Sequence, residues 1–259
     1  MRPTRIVLPA LLVALLSGCG GNTPTATTDD KGGKVDKGSP VAAPKDVDAG
    51  KKFAADFLAA VRDKKAAADQ FTAEFKPVFS DNPAAELTFL AGDVGADDVT
   101  AAGGSDGAVF AMGKNKAGTR TLLRAVKVGA DWKADWLSVG PKGVGSAVLT
   151  GDNAPAQFAA QAFLDAVAHK KFAQAAALTS PAAKTKYGES VISKTFDLGT
   201  FGDTLGKLLP SPQAYTVTGA SAGTVTVEVT AGGAKKTATI KTVKGTRPGE
   251  WLVDSVEVK

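Results

Sequence analysis

The sequence predicts an α+β fold in which one arrangement of helices and strands occurs twice. Two short motifs recur in the same order. Residues 57–65 read FLAAVRDKK and residues 163–171 read FLDAVAHKK, while DWKAD at 131–135 is followed by EWLVD at 250–254. The offsets are 106 and 119 residues, which indicates an insertion of about 13 residues in the second copy. A repeat of this length is typical of a domain duplication rather than of a solenoid unit.

Each copy opens with the pattern of an amphipathic helix. In the first copy Asp48 can cap the opening helix. In the second copy Pro155 suits the first turn of the opening helix. A shorter helix is predicted after each, at residues 66–71 and 172–178, and Pro181 is expected to end the latter. Apolar side chains at helical spacing line one face of the first helix: Phe53, Phe57, Leu58 and Val61.

Each copy closes with strands. Residues 224–230 (TVTVEVT) alternate strictly between polar and apolar side chains, which predicts a half-buried antiparallel strand with its valines inward. The following AGGA is typical of a hairpin turn. Further strands are predicted at residues 108–112, 121–128, 132–139, 237–243 and 251–258. Helices followed by antiparallel strands favour helices packed on one face of a sheet.

The start of the chain carries the strongest functional pattern. A short basic segment precedes eleven apolar residues, IVLPALLVALL, which are too few to span a bilayer but suit a secretory signal. The segment ends in Leu16, Ser17, Gly18 and Cys19, which resembles the lipobox of bacterial lipoproteins. This resemblance implies cleavage between Gly18 and Cys19 and attachment of diacylglyceryl and acyl chains, palmitate among them, to Cys19. The alternative is an ordinary signal peptide with an incidental cysteine.

The lipobox implies an extracytoplasmic protein held in the cell envelope by lipid. Two or three acyl chains on Cys19 would give stable anchoring, whereas one gives marginal binding. Cys19 is the only cysteine. Gly20 follows it, and in the enterobacterial sorting rule a residue other than Asp at this position directs a lipoprotein to the outer membrane, where the host has one.

Trp132 and Trp251 each stand three residues before an aspartate, Asp135 and Asp254, on the predicted closing strands. With the order of helix, short helix, hairpin and closing strand, this pattern resembles NTF2-like and cystatin-like proteins. The resemblance implies two tandem domains, each with helices packed on a curved antiparallel sheet that forms a cone with a pocket. Some members of that superfamily are isomerases, dehydratases or hydrolases. The alternative is another helix-plus-meander fold with the same order of elements.

These patterns divide the chain into five segments. The second lacks Phe, Trp, Tyr, Leu, Ile and Met, so it cannot bury enough apolar surface to fold and is expected to be a flexible tether. The segments are a signal peptide at 1–18, the tether at 19–47, a first NTF2-like domain at 48–140, a linker at 141–152 and a second domain at 153–259.

Composition excludes several classes of chemistry. One cysteine and one histidine cannot form a disulfide framework or a Cys/His zinc site, and any serine-histidine apparatus would depend on His169 alone. Removal of Arg2 and Arg5 with residues 1–18 would lower the side-chain charge from +5 to +3, which is too weak for a nucleic-acid partner. No cofactor or metal is expected.

The candidate polar residues have structural interpretations. His169 is expected at a solvated helix end, and Tyr215 in a packing position. Asp135 and Asp254 are either inward, as buried acids, or outward, as charges that protect a strand edge. The sequence therefore favours a non-catalytic role in which the protein binds a small hydrophobic ligand or an envelope protein. The alternative is an extracytoplasmic NTF2-like enzyme of the isomerase or hydrolase type, and a pocket with two or more inward carboxylates would favour it.

Overall fold

Among the described residues, the chain forms two four-stranded antiparallel sheets, and three α-helices precede each sheet. We call residues 44–140 the first half and residues 149–259 the second half. The α+β class predicted from the sequence is thereby confirmed. A computed structural model describes residues 44–103, 107–140, 149–169, 171–187, 214–231 and 234–259.

The first half contains three helices and one sheet. Its elements are α1 (Pro44–Arg62), α2 (Phe75–Phe79), α3 (Pro83–Leu90), β1 (Asp98–Gly103), β2 (Ala108–Lys114), β3 (Arg120–Val128) and β4 (Asp131–Val139).

The second half repeats this order. Its elements are α4 (Ala154–Ala168), α5 (Phe172–Ala177), α6 (Pro181–Tyr187), β5 (Ala214–Ser221), β6 (Thr224–Ala231), β7 (Ala234–Lys244) and β8 (Trp251–Val258). Both sheets are meanders in which each strand pairs with the next strand of the chain.

Several helix boundaries differ from the sequence prediction. The first helix begins at Pro44 rather than at Asp48, and a single 3-10 turn, Ala68–Gln70, replaces the helix expected at 66–71. Pro181 begins α6 instead of ending the preceding helix, because a proline in the first turn lacks only an N–H that would be unsatisfied there. Helices α2, α3 and α6 and strand β1 were not predicted.

An aromatic cluster fills the space between the helices and the sheet of the first half. Phe71 lies 4.8–5.6 Å from the rings of Phe57, Phe75 and Phe79, and Phe75 packs on Trp136 of β4 at 5.0 Å. All five side chains are buried. The space between the helices and the sheet of the first half is therefore packed with side chains.

Strand β2 is buried on both faces because helices cover the first sheet on either side. Gly50 of α1 lies against Val109, so closely that a Cβ there would come within 2.7 Å of the valine. The neighbouring Phe110 points to the opposite face and packs on Phe158 of α4 at 5.3 Å. The helix α4 also contacts all four strands of the second sheet, and 14 of its 15 residues are buried. The layers therefore run helix, sheet, helix, sheet.

The two halves share one unusual arrangement at the closing strand. Asp135 is the extra residue of a β-bulge in β4, and Asp254 is the extra residue of the corresponding bulge in β8. The hydroxyl of Thr72 donates to Asp135 at 2.7 Å, and that of Ser180 donates to Asp254 at 2.6 Å. Each hydroxyl also accepts a backbone N–H from three residues later. The recurring aspartates therefore tie the bulge to the start of a helix.

The outer faces of the two sheets differ in chemistry at equivalent positions. In the first sheet this face is covered by the second half and carries Phe110, Leu122 and Arg124, all buried. Counted from the bulges, the same positions in the second sheet are Thr224, Thr239 and Lys241, which remain partly or fully exposed. The valines of β6 alternate inward as predicted. The polar second face thus ends the series of layers.

Residues Gly38–Lys259 form one compact unit that includes both sheets, and the separate unit Met1–Lys37 lies outside the described residues. Within the described part of the chain, no helix is both long and apolar enough to cross a membrane.

Candidate ligand-binding cleft at the seam between the halves

A buried ion pair joins the halves, and we call their zone of contact the seam. Arg120 of β3 donates to Asp165 of α4 at 2.5 Å and to the side-chain oxygen of Gln161 at 2.6 Å. It also donates to the hydroxyl of Tyr215, which lies 2.7 Å from Asp165. The exposed fractions of the Arg120 and Asp165 side chains are 1% and 0%. Additional hydrogen bonds of this kind offset part of the desolvation cost of a buried pair.

Burial sets the protonation of this network. It raises the pKa of the Tyr215 phenol well above its ordinary value, so the hydroxyl keeps its proton and can donate it. Burial also raises the pKa of the Asp165 carboxyl, and the charge of Arg120 opposes this rise without cancelling it. The guanidinium provides the positive charge against which an ionised Asp165 is stabilised.

A second charged network lies at the bulge of β4. Arg124 donates to Asp135, and Arg247, from the turn between β7 and β8, donates to the same carboxylate at 3.2 Å. Arg247 also holds Glu250 through two hydrogen bonds. Burial lowers the pKa of Arg124, and the neighbouring charge of Arg247 lowers it further. The first half thus supplies an acid that accepts from arginines of both halves.

An open cleft lies at one end of the seam. It has a volume of about 280 Å³ and is bounded by α3 and β4 of the first half and by the end of α4 and the start of α5 in the second. Its apolar side is formed by Phe89, Leu90, Val139 and Ala166. Phe89 is 76% exposed, which is unusual for a side chain of this size. We call this space the seam cleft.

An ion pair divides the seam cleft from a neighbouring space of about 320 Å³. Lys171 donates to Glu86 of α3 at 2.7 Å, and its ammonium lies 5.9 Å from the centroid of the Phe79 ring. Gln174 of α5 lines both spaces and is only 2% exposed. Its amide nitrogen donates to the backbone oxygen of Phe79, whereas its Oε1 has no hydrogen-bond partner among the described residues.

No protein-family model matches the chain, and no curated protein or solved structure gives a significant match.

The structure places the residues predicted from the sequence in different surroundings. The lipobox residues Leu16, Ser17, Gly18 and Cys19 lie outside the described residues. His169 is exposed just after α4, as expected, but it also lines the seam cleft. Tyr215 is buried, as expected, within a polar network rather than in purely apolar packing.

The two aspartates of the closing strands do not behave alike. Asp135 is 3% exposed and lies among Thr72, Arg124 and Arg247, so the outward interpretation is wrong for this residue. Asp254 is only half-buried and has Ser180 as its described side-chain donor. The difference arises because the second half covers the bulge of the first half.

The carboxylates at the seam are largely neutralised. Asp165 faces Arg120, and Glu86 faces Lys171, so neither is placed as a free general base. Among the described residues, no group of three or more His, Cys, Asp or Glu side chains is arranged to hold a metal ion. The arrangement is therefore suited to holding a ligand by shape and charge.

Sequence reasoning missed the residues that build the seam, although one difference marked them. Asp165 stands where the first copy of the motif has Ala59, and the exposed Asp63 of the first copy corresponds to His169. The helix α1 packs on the strands of the first sheet and carries the small Ala59 at the equivalent position. A charged residue on the apolar side of a repeated helix indicates a buried partner.

Proposed function

We propose that the protein is a lipid-anchored, extracytoplasmic binding protein that holds a small ligand in the seam cleft. The observation that carries this proposal is the cleft itself, which has an apolar side and an exposed Phe89, while the space inside the first half is packed with aromatic side chains. Pockets for small molecules combine apolar walls with a few polar groups, as this one does.

The sequence of residues 1–19 supports the anchored part of the proposal. A lipidated Cys19 would hold the folded unit at a membrane surface of the cell envelope, and at the outer membrane where the host has one. Two tandem NTF2-like domains remain the fold that we propose, supported by the matched bulges and hydroxyl–aspartate pairs of the two halves.

Ligand-observed NMR with a library of small aromatic fragments tests the binding role. The protein is the chain from residue 20 onward, which includes the whole compact unit. Fragments that bind the wild type should lose binding to Phe89→Ala and keep it with Val128→Ala, since Val128 is an exposed apolar residue outside the cleft. A library in which no fragment distinguishes these two variants would contradict the proposal.

Metabolic labelling with palmitate tests the anchor. The wild-type chain should incorporate label, and Cys19→Ala should not, because the cysteine sulfur carries the diacylglyceryl group in the proposed processing. Equal labelling of both chains would exclude lipidation at Cys19.

The enzyme alternative has one supporting observation. Ser138 donates to Asp165 at 3.4 Å, and both line the seam cleft together with His169. Arg120 and Tyr215 already donate hydrogen bonds to Asp165, so its carboxyl is not available as a catalytic base. The binding role therefore accounts better for the same geometry.

A further inference from the structure

We infer that the ligand of the seam cleft is a cation with an apolar body, such as an arylalkyl amine. This inference rests on the proposed binding function and specifies its ligand class. It combines the charge of the cleft with an unpartnered polar atom and an exposed aromatic ring.

Among the described residues, the seam cleft keeps one unpaired acidic side chain when its ion pairs are left out of account. Glu86 and Lys171 neutralise each other, and Asp165 is neutralised by Arg120. Asp93, which is exposed at the rim of the seam cleft, forms no ion pair with any described residue. An unpaired acid at this rim favours a positively charged ligand over an anion, although the chain as a whole is weakly basic.

The seam cleft also has a hydrogen-bond acceptor that lacks a described donor. The side chain of Gln174 is 2% exposed and lines the cleft, and its Oε1 has no partner among the described residues. A buried oxygen without a hydrogen bond is costly, and a ligand N–H group would remove that cost once the side chain turns its Oε1, which is closed to solvent, toward the cleft. An ammonium group offers three such donors, whereas a carboxylate offers none.

The apolar side of the seam cleft suits a ligand with an apolar body. The ring of Phe89 stands in solvent at the cleft, next to the buried Leu90 and to Val139. An alkyl or aryl group placed against these side chains would bury apolar surface that is otherwise exposed to water. Charge and shape together therefore select an amine with a hydrophobic tail.

Two probes with the same body and opposite charge separate the possibilities. They are 4-phenylbutylamine and 5-phenylvalerate, titrated at pH 8 into the ¹⁵N-labelled chain from residue 20 onward. The amine should bind about fivefold more tightly than the acid, as one exposed charge pair allows. The side-chain amide resonance of Gln174 should shift with the amine and not with the acid.

Matched variants locate the charge. Asp93→Asn should weaken binding of the amine about three- to fivefold and should not weaken binding of the acid. Asp98→Asn, at an exposed aspartate of β1 outside the cleft, should change neither. Phe89→Ala should weaken binding of both probes.

The outcomes distinguish this inference from the function on which it rests. If the acid binds as tightly as the amine and Phe89→Ala weakens both, the cleft binds ligands but the cationic class is wrong. If Asp93→Asn leaves the affinity for the amine unchanged, the inference is also overturned. If neither probe binds, or Phe89→Ala changes neither affinity, the inference and the proposed binding function both fail.

Discussion

Asp165 and Arg120 form an ion pair at 2.5 Å with almost no exposure to solvent, and the two residues belong to different halves of the chain. The pair lies between the sheet of the first half and the first helix of the second. Gln161 and Tyr215 form hydrogen bonds with the pair, whereas Nε of Arg120 has no partner among the described residues. Such a network costs desolvation energy, and it links side chains of both halves across the seam.

Removal of one partner of this pair should be strongly destabilising. Arg120→Met or Asp165→Leu alone is expected to lower the free energy of unfolding by about 3–5 kcal/mol, because each leaves an uncompensated buried charge. The double variant should lose clearly less than the sum of the single variants. Urea denaturation measures all three. Additive losses would show that the pair is not energetically coupled.

The two bulged aspartates provide an internal comparison. Asp135→Asn should lower the free energy of unfolding by about 3 kcal/mol, because it removes the charge that faces two arginines. Asp254→Asn should cost about 1 kcal/mol, since its site is half-buried and its described donor is a neutral hydroxyl. Thermal and urea unfolding of the two variants provide the test. Equal losses would contradict the asymmetry.

Glu250 should contribute an acid-sensitive part of the stability. Burial by itself would raise the pKa of its carboxyl, but the hydrogen bonds and charge of Arg247 outweigh that effect and hold the pKa below its ordinary value of 4.5. A lowered pKa in the folded state stabilises the protein above the unfolded pKa, and this contribution is lost as pH falls through the folded pKa. The stability difference between wild type and Glu250→Gln should therefore be largest at pH 7 and shrink below pH 4.5.

The control for this pH profile is Glu257→Gln, at an exposed glutamate of β8 that pairs with Lys241 at 3.5 Å. Its profile should follow that of the wild type. A difference for Glu250→Gln that grows as pH falls would have the wrong sign for the Arg247 contact.

Two glycines in turns have left-handed backbone conformations. Their substitution allows the cost of backbone strain to be measured apart from the cost of overpacking at the seam. Gly129 and Gly249 have φ values of +63° and +62°, but a Cβ at Gly129 would meet nothing within 4 Å. A Cβ at Gly249 would lie 2.3 Å from the Cβ of Ala108 in the other half. Gly129→Ala should cost about 1–2 kcal/mol from the left-handed backbone.

Gly249→Ala should cost about 1–3 kcal/mol more than Gly129→Ala, because the added methyl group overpacks the contact with β2. Urea denaturation of the two variants measures the difference. Equal costs would indicate that the turn is not held against the first sheet.

Much of the fold could be predicted from local patterns. The alternation of Val225, Val227 and Val229 predicts that their side chains lie on the inner face of the sheet, and the structure confirms that they are buried. The helices beginning with Pro83 and Phe75 were missed because they are short and lie among residues without a clear helical period. Burial of α4 on nearly all sides was also missed, because periodicity reports one apolar face and not a second layer packed against the other.

The candidate site was less accessible to sequence reasoning. Lys171 and Glu86 are 85 positions apart, and nothing in either local pattern indicates that they pair. Asp93 and Gln174 have ordinary surroundings in the sequence, and only the packing of one half on the other brings both to one cleft.

The sequence by itself determined the α+β class, the placement of helices before antiparallel strands in each copy, the recurrence of the motif around Asp135 and Asp254, and the prediction of a lipid anchor at Cys19. These follow from the spacing of apolar side chains and from short motifs, which depend on neighbours along the chain. Only the tertiary structure decided that Asp135 is buried while Asp254 is half-exposed, and that a cleft lies beside Phe89. Burial and charge pairing depend on residues that are distant in the chain. Here the second half covers the outer face of the first sheet, whereas the outer face of the second sheet is exposed to solvent.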